Sequence, residues 1–419
     1  EAKVLIEAEY QLPFLAHATM ETMNCTAWVK DGTCEVWCGS QNPLGVKAAA
    51  AELLGLELDQ VIVHNQLLGG GFGRRSETDV IKQAILIAKE VEFPVKLIWS
   101  REEDTQHDFY REATISRLKA GLDESGLPVA YSHQFIFKNH PAEAADIPYS
   151  VPNQLIQYSN PSSPIPWGNW RSVAHSTHGF VTESFIDELA HEAKQDPLAY
   201  RKSLIKDHPR FQAVLEMAYE KSNWASPLPA NWGRGVAIGQ SFGSVVAEVA
   251  EVEVTLEGKV KVHRVVCVAD PGFAIHPDGF KAQMESGIIY GLAAAMTGGL
   301  STLFLELEQF LVVDHVDLVQ EDHESRNADL TGEQDVLTGL GHRAVSGGTD
   351  ENGAVHLGGT GNHVLDVVGV ARTVNVGVVT VGGFVFDVGG VDGDAAGLFF
   401  GRCVTFVVLL GRAAELGRQ

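Results

Sequence analysis

Gly69-Gly70-Gly71-Phe72-Gly73-Arg74-Arg75 lies between a β-branched run, Val61-Ile62-Val63-His64, and a segment with Val80, Ile81, Ala84, Ile85, Ala88 and Val91 mostly three and four apart. The first run reads as a strand, and the second predicts an amphipathic helix over Ser76 to Glu92. Ser76 suits the N-cap, with Glu77 and Asp79 in the first turn, where the helix dipole favours negative charge. Glycines at a helix entrance let the backbone approach a ligand closely, and the N–H groups there suit an anion. Arg74 and Arg75 add forked donors for phosphate or carboxylate. A plain glycine turn with two solvated arginines stays open at this point. Two familiar phosphate loops are excluded: there is no lysine before Ser76, and a dinucleotide fingerprint counted from Gly71 and Gly73 would need a glycine at 76.

Other segments narrow the reading. His17-Ala18-Thr19-Met20-Glu21-Thr22 precedes the loop, followed by Cys34-Glu35-Val36-Trp37-Cys38 and Gly39-Ser40-Gln41-Asn42-Pro43. Alternation puts Cys34, Val36 and Cys38 on one strand face and Glu35 and Trp37 on the other. Beyond the loop come Trp99-Ser100-Arg101-Glu102-Glu103-Asp104 and Asn169-Trp170-Arg171-Ser172-Val173. A helix containing Glu183 to Ala190 follows, and then Asp270-Pro271-Gly272-Phe273-Ala274-Ile275-His276-Pro277 with Gln283 after it.

In this order, from about Ala8 to about Gly298, the segments resemble the molybdenum-binding large subunit of the xanthine dehydrogenase/aldehyde oxidase family, closest to the isoquinoline 1-oxidoreductase beta-subunit type. The resemblance implies an α+β fold of molybdopterin-binding lobes, truncated here and followed by an atypical Val/Gly-rich tail. It implies molybdopterin with molybdenum, in the cytosine dinucleotide form, as cofactor. It assigns cofactor binding to Gln41, Gly70, Gly71, Phe72, Gly73 and Arg74 in the first lobe and to Asp270 and Gln283 in the second. Gln41 would hydrogen-bond near the metal, and Arg171 would orient the substrate. No side chain of this chain is expected to ligate the metal. Implied partners are a small-molecule substrate and an iron–sulfur electron-transfer subunit, since this chain has no cysteine cluster of its own. Some positions depart from the pattern: Thr22 and Glu112 stand for prolines, Pro271 for a cysteine, His276 for an asparagine and Ser286 for a glycine. Proline and glycine allow backbone angles that their replacements do not share, so local loop geometry is open there.

A chain of 419 residues exceeds one ordinary core. Residues 1–225 read as a first molybdopterin-binding domain, with Asp196-Pro197 opening a helix and Ser226-Pro227-Leu228-Pro229 as linker. Residues 233–299 read as the start of a second. There Val246, Ala250, Val252 and Val254 would share a strand face opposite Glu251 and Glu253, with Glu248 breaking the pattern. Val260 to Ala269 would be a second strand after a turn at Glu257-Gly258, and Gly287 to Gly298 a buried helix rich in small residues. The net charge of -23 argues against nucleic acid. No run reaches the length of a membrane span. Cys34 and Cys38 read as strand residues, not metal ligands. His191-Glu192 is no zinc-protease motif, because position 195 is Gln195; His175 and His178 lack a third ligand; and Asp187 and Glu188 read as a solvated helix face.

Residues 300–419 change character. From Ser301 onward there is no Lys, Ile, Met, Pro, Trp or Tyr, and valine and glycine make up about a third of the residues, which is improbable for a globular domain. The tail reads as an out-of-frame or wrong-strand translation or a fusion scar, with a divergent valine-rich domain as the alternative. Leu305 to His315 resembles valine-rich reading frames labelled NAD-specific glutamate dehydrogenase, although no dinucleotide fingerprint accompanies it. The family's general-base glutamate has no counterpart in this chain, and the family's earlier Gly-Gln-Gly cofactor segment would lie before Glu1. The expectation is a fragment of a bacterial molybdenum hydroxylase, acting on an aldehyde or N-heterocycle with water-derived oxygen and inactive by itself. A non-catalytic remnant and a small-molecule or anion-binding module are the alternatives. No export signal is present in the chain, leaving periplasm and cytoplasm both open. An incomplete second lobe would expose Ile288, Ile289 and Leu292.

Overall fold

The computed structural model describes residues 2–136 and 145–297, with the backbone of Gly377–Thr380. The fold is α+β, as the sequence leads one to expect, and is built on three four-stranded sheets. The first runs β1 (Val4–Leu12), β6 (Thr114–Leu122), β7 (Pro128–Ile136) and β8 (Asn153–Ser159). The second has the order β4 (Val61–Asn65), β3 (Thr33–Cys38), β2 (Asn24–Lys30) and β5 (Val95–Ile98). In the third, β9 (Trp232–Ser241), β10 (Ser244–Val254) and β11 (Val260–Asp270) form an antiparallel meander, with β12 (Gly377–Thr380) parallel to β11.

The second sheet packs its inner face on α1 (Pro43–Leu54) and α2 (Asp79–Ala88). Cys34, Val36 and Cys38 all point into that core, while Trp37 and Glu35 meet His64 on the other face, as alternation requires. The four described cysteines are free thiols. Helix α2 starts later than its periodicity suggests. Arg74–Ser76 forms a 3-10 turn instead, and Thr78, not Ser76, stands at the N-cap. The cause is Asp79, whose carboxylate is gripped by Arg74.

Helix α4 (His175–Glu192) is the central beam, following the short α3 (Arg101–Gln106) in the chain. Val181, Phe185, Ile186 and Leu189 join one core with Leu118 and Leu122 of β6 and with Val236, Ile238 and Val249 of the third sheet. Apolar packing therefore runs across the linker at Ser226 without a break. Asp196 caps α5 (Pro197–Leu204) through the Ala199 N–H, as expected. Then α6 (Pro209–Ser222) leads into β9, a strand that was not anticipated. Asp187 is not solvated. It is buried beside Arg201 of α5, and Glu188 accepts from the Tyr10 hydroxyl.

Helix α7 (Pro277–Thr297) covers the other face of the third sheet. Ile288 and Leu292 are buried and Ile289 packs beside them, so the expected exposure of these side chains is overturned: β10 and β11 already supply their cover. Apart from the backbone of β12, the reading of the tail, Cys403 included, lies outside the described residues. Among the described residues no helix is long and apolar enough to cross a membrane.

Glu248 departs from the apolar pattern of β10. Its carboxyl is buried in the core beneath α7, opposite Cys267, and burial pushes its pKa up to about 8. Raised above the unfolded value, this group favours the folded state most at low pH, and the benefit is lost as pH rises towards about 8. E248Q should therefore flatten the pH dependence of stability between about pH 5 and 8 and gain on the order of a few kcal/mol over the parent at the alkaline end. Chemical denaturation across that range checks it; parallel curves for the two proteins would refute it.

Candidate functional site

The glycine loop leaves β4 and is held from below by buried charges. Arg75 donates to the Gly70 carbonyl (3.0 Å), to the Glu21 and Thr22 carbonyls (2.9 and 3.2 Å) and to Glu21 Oε2 (3.0 Å). Glu21 in turn accepts from the Gly69 N–H (2.7 Å). Arg74 forms a two-pronged pair with Asp79 (2.9 and 2.7 Å), and its Nε lies 2.9 Å from Asp108 Oδ1. Both arginines are 1% exposed. This corrects the expectation that Arg74 and Arg75 offer forked donors to an anion: carboxylates and carbonyls of this chain already take them. In this structure Arg74 is a strut beneath the loop. Glu21 and Asp108 escaped the sequence reading, although Glu21 of Met20-Glu21 was visible as a motif.

With the arginines turned inward, the upper side of the loop belongs to its backbone. Gly70 and Gly73 have φ of +95° and +106°, and Phe72 itself sits at +51°. A Cβ on Gly73 would fall 1.5 Å from the Asn169 carbonyl oxygen, and one on Gly71 would fall 2.5 Å from Gln41 Oε1. At Gly73 only glycine fits, whereas a Cβ on Gly71 would have to push the Gln41 side chain aside. Gln41 Oε1 accepts from the Gly73 N–H (3.0 Å). Because that partner is a donor, the carbonyl end of Gln41 must face it, and the amide NH2 is left for another acceptor.

The structure brings Phe72, Arg171 and Gln283 together with Gln41. Phe72 stacks on Tyr290 (centroids 4.3 Å apart), and Tyr290 stacks on Trp170 (4.9 Å). The Arg171 guanidinium lies 5.8 Å from the Phe72 ring centre. Arg171 is buried, and donates to Ser286 Oγ (2.9 Å), the Gln283 carbonyl (2.9 Å) and Gln283 Oε1 (3.1 Å) on α7. Ser286, which stands where the family resemblance leads one to expect glycine, thus takes one of the donors of Arg171. Ser172 and Val173 hold φ of +74° and +43°, unusual angles for residues with side chains, so backbone strain gathers beside Arg171. Asp270 is placed otherwise. Its carboxylate pairs with Arg210 (2.7 Å) and accepts from the Gly272 N–H (2.9 Å), fixing the turn after β11. In this structure the carboxylate ties β11 to α6.

The donor set suits a phosphate-bearing pterin. The N–H groups of Gly71 and Phe72 make no hydrogen bond among the described residues, and Ser172 Oγ is buried without one. A buried hydroxyl seldom stays unpaired and loop N–H groups suit an anion, so a ligand with acceptor oxygens is the natural partner. No group of three or more His, Cys, Asp or Glu side chains among the described residues could hold a metal ion.

The comparisons agree with this class of site. A molybdopterin cofactor-binding domain matches residues 1–204, and a second molybdopterin cofactor-binding domain matches residues 184–302. The beta subunit of an isoquinoline 1-oxidoreductase of Brevundimonas diminuta is 32% identical over 290 residues, covering 64% of this chain and 37% of that protein. A nicotinate dehydrogenase subunit of Pseudomonas putida is 26% identical, over 68% of this chain and 27% of its own length. Among solved structures, the fold is similar to quinoline 2-oxidoreductase of Pseudomonas putida 86, with TM-score 0.66 at 11% identity, covering 99% of this chain and 74% of that one. It is also similar to the aldehyde oxidoreductase of Desulfovibrio desulfuricans, with TM-score 0.62 at 13% identity, covering 97% of this chain and 58% of that one. The two family matches, which together run from residue 1 to residue 302, make this a molybdopterin-binding protein. The chain belongs to the molybdenum-binding large subunits of the xanthine dehydrogenase/aldehyde oxidase family, and spans well under half the length of the Brevundimonas and Pseudomonas putida relatives compared by sequence.

Proposed function

We propose that this chain supplies the cofactor cradle of a molybdenum hydroxylase that oxidises an aldehyde or N-heterocycle with water-derived oxygen. The observation that carries it is the meeting of Gln41, Phe72 and Arg171 around a loop whose Gly71 and Phe72 N–H groups make no hydrogen bond among the described residues. When bound, molybdopterin with molybdenum would supply the redox chemistry. The loop backbone would hold its phosphates, and the Gln41 amide would donate to an acceptor at its reactive end. Phe72 and Tyr290 would form an apolar wall that keeps water from the substrate. Arg171, desolvated and pinned by α7, would stabilise negative charge developing on a carbonyl oxygen or ring nitrogen. Electrons would leave through an iron–sulfur subunit.

The cytosine dinucleotide form is part of this proposal. The chain, purified from a host that makes that form, should release cytidine monophosphate on acid hydrolysis, in step with its pterin content. Guanosine monophosphate, or pterin without nucleotide, would overturn that form. No pterin at all in folded chain would favour a non-catalytic remnant.

A further inference from the structure

His17 lies in the segment between β1 and β2 and is 1% exposed. Its Nδ1 is 3.1 Å from both carboxylate oxygens of Asp108, and its Nε2 is 2.9 Å from the Asn169 carbonyl oxygen. A carbonyl oxygen only accepts. Asp108 also only accepts, because the His17 backbone N–H donates to its Oδ2 and Arg74 Nε lies against its Oδ1. Burial alone would raise the Asp108 carboxyl, but His17 and Arg74 outweigh it and hold the group below its usual range. Both ring nitrogens of His17 are therefore engaged by groups of this chain.

We propose that His17, held by Asp108 on one side and reaching the Asn169 carbonyl on the other, clamps the Asn169–Arg171 segment onto the glycine loop, and so is a positioning residue for Arg171. The clamped carbonyl is the one that occupies the space a Gly73 Cβ would need, 1.5 Å away. Arg171 follows two residues later. The His17 ring also lies against Trp170 (4.8 Å), the first ring of the stack that reaches Phe72 through Tyr290. The charged and titratable groups around His17 are Asp108, Arg74 behind it, Glu77 (whose carboxyl feels both His17 and Arg74) and the Tyr290 hydroxyl, 3.5 Å from the His17 carbonyl oxygen. The consequence for catalysis rests on the role given to Arg171 above; the clamp itself does not.

Hydrogen exchange of the full chain tests the clamp. The peptide covering 169–172 should exchange roughly ten-fold faster in H17N than in the parent, as expected for one lost hydrogen bond, while peptides of β9 keep the parental rate. If H17N does not unfold cooperatively, D108N, which alters the partner of Nδ1 and keeps the His17 ring, is compared in its place. Unchanged exchange there would reject the positioning role while leaving the cofactor reading intact.

Discussion

Replacing Gly73 by valine is expected to abolish cofactor retention and to destabilise the first lobe by on the order of 4 kcal/mol or more. Two costs add. The residue sits at φ +106°, where side chains are strained, and the new Cβ would overlap the Asn169 carbonyl oxygen at 1.5 Å. That neighbour is backbone held by His17, so it cannot rotate away as a flexible side chain would. The shift would reach Arg171 directly. Gly239→Ala in β9 is the control, since a Cβ there meets nothing within 4 Å and φ is ordinary. Thermal unfolding and pterin content of both variants check the contrast. A G73V chain with parental stability and cofactor would refute the loop geometry.

Arg201→Ala should cost about 3–5 kcal/mol, the range for breaking a buried ion pair from one side. Arg201 is fully buried. It pairs with Glu183 (2.9 Å) and Asp187 (2.5 Å), and Glu183 also accepts from the Tyr149 hydroxyl (2.7 Å) and the Ile238 N–H (3.0 Å). Burial works against the charge on Arg201, yet its two carboxylates hold its pKa well above the usual value. Burial raises the Glu183 carboxyl. Alanine would strand both carboxylates in the core at the junction of α4, α5 and β9. Replacing Arg201, Glu183 and Asp187 together by apolar residues of similar volume should recover much of the loss. Equal stability of R201A and the parent in urea would show that the cluster is not coupled to folding.

The parts of this fold that were legible in sequence are those whose partners are local. The strand at Val61–Asn65, the core face of β3 and the cap at Asp196 each follow from residues within a turn or two. The site was legible only through the order of its motifs, because Gln41, Phe72, Arg171 and Gln283 meet from four distant segments. What was misread had a remote partner. Arg74 and Arg75 look solvated until Glu21, Asp79 and Asp108 close on them, and Asp187 looks exposed until Arg201 arrives from the next helix. The strand β9 was hidden by Gly233, Gly235 and Gly239, which interrupt its apolar alternation. Glu248 broke the pattern of β10 visibly, but its burial required α7.

The most direct test of the cradle is the molybdenum and pterin carried per chain. The full chain is purified from a host whose own molybdenum hydroxylases are loaded, and its folding is verified by cooperative unfolding. The geometry of the site calls for pterin and molybdenum in equal amounts, approaching one of each per chain in the parent and falling to background in G73V. A well-folded parent chain with neither, from cells whose other molybdenum enzymes are filled, would contradict the account.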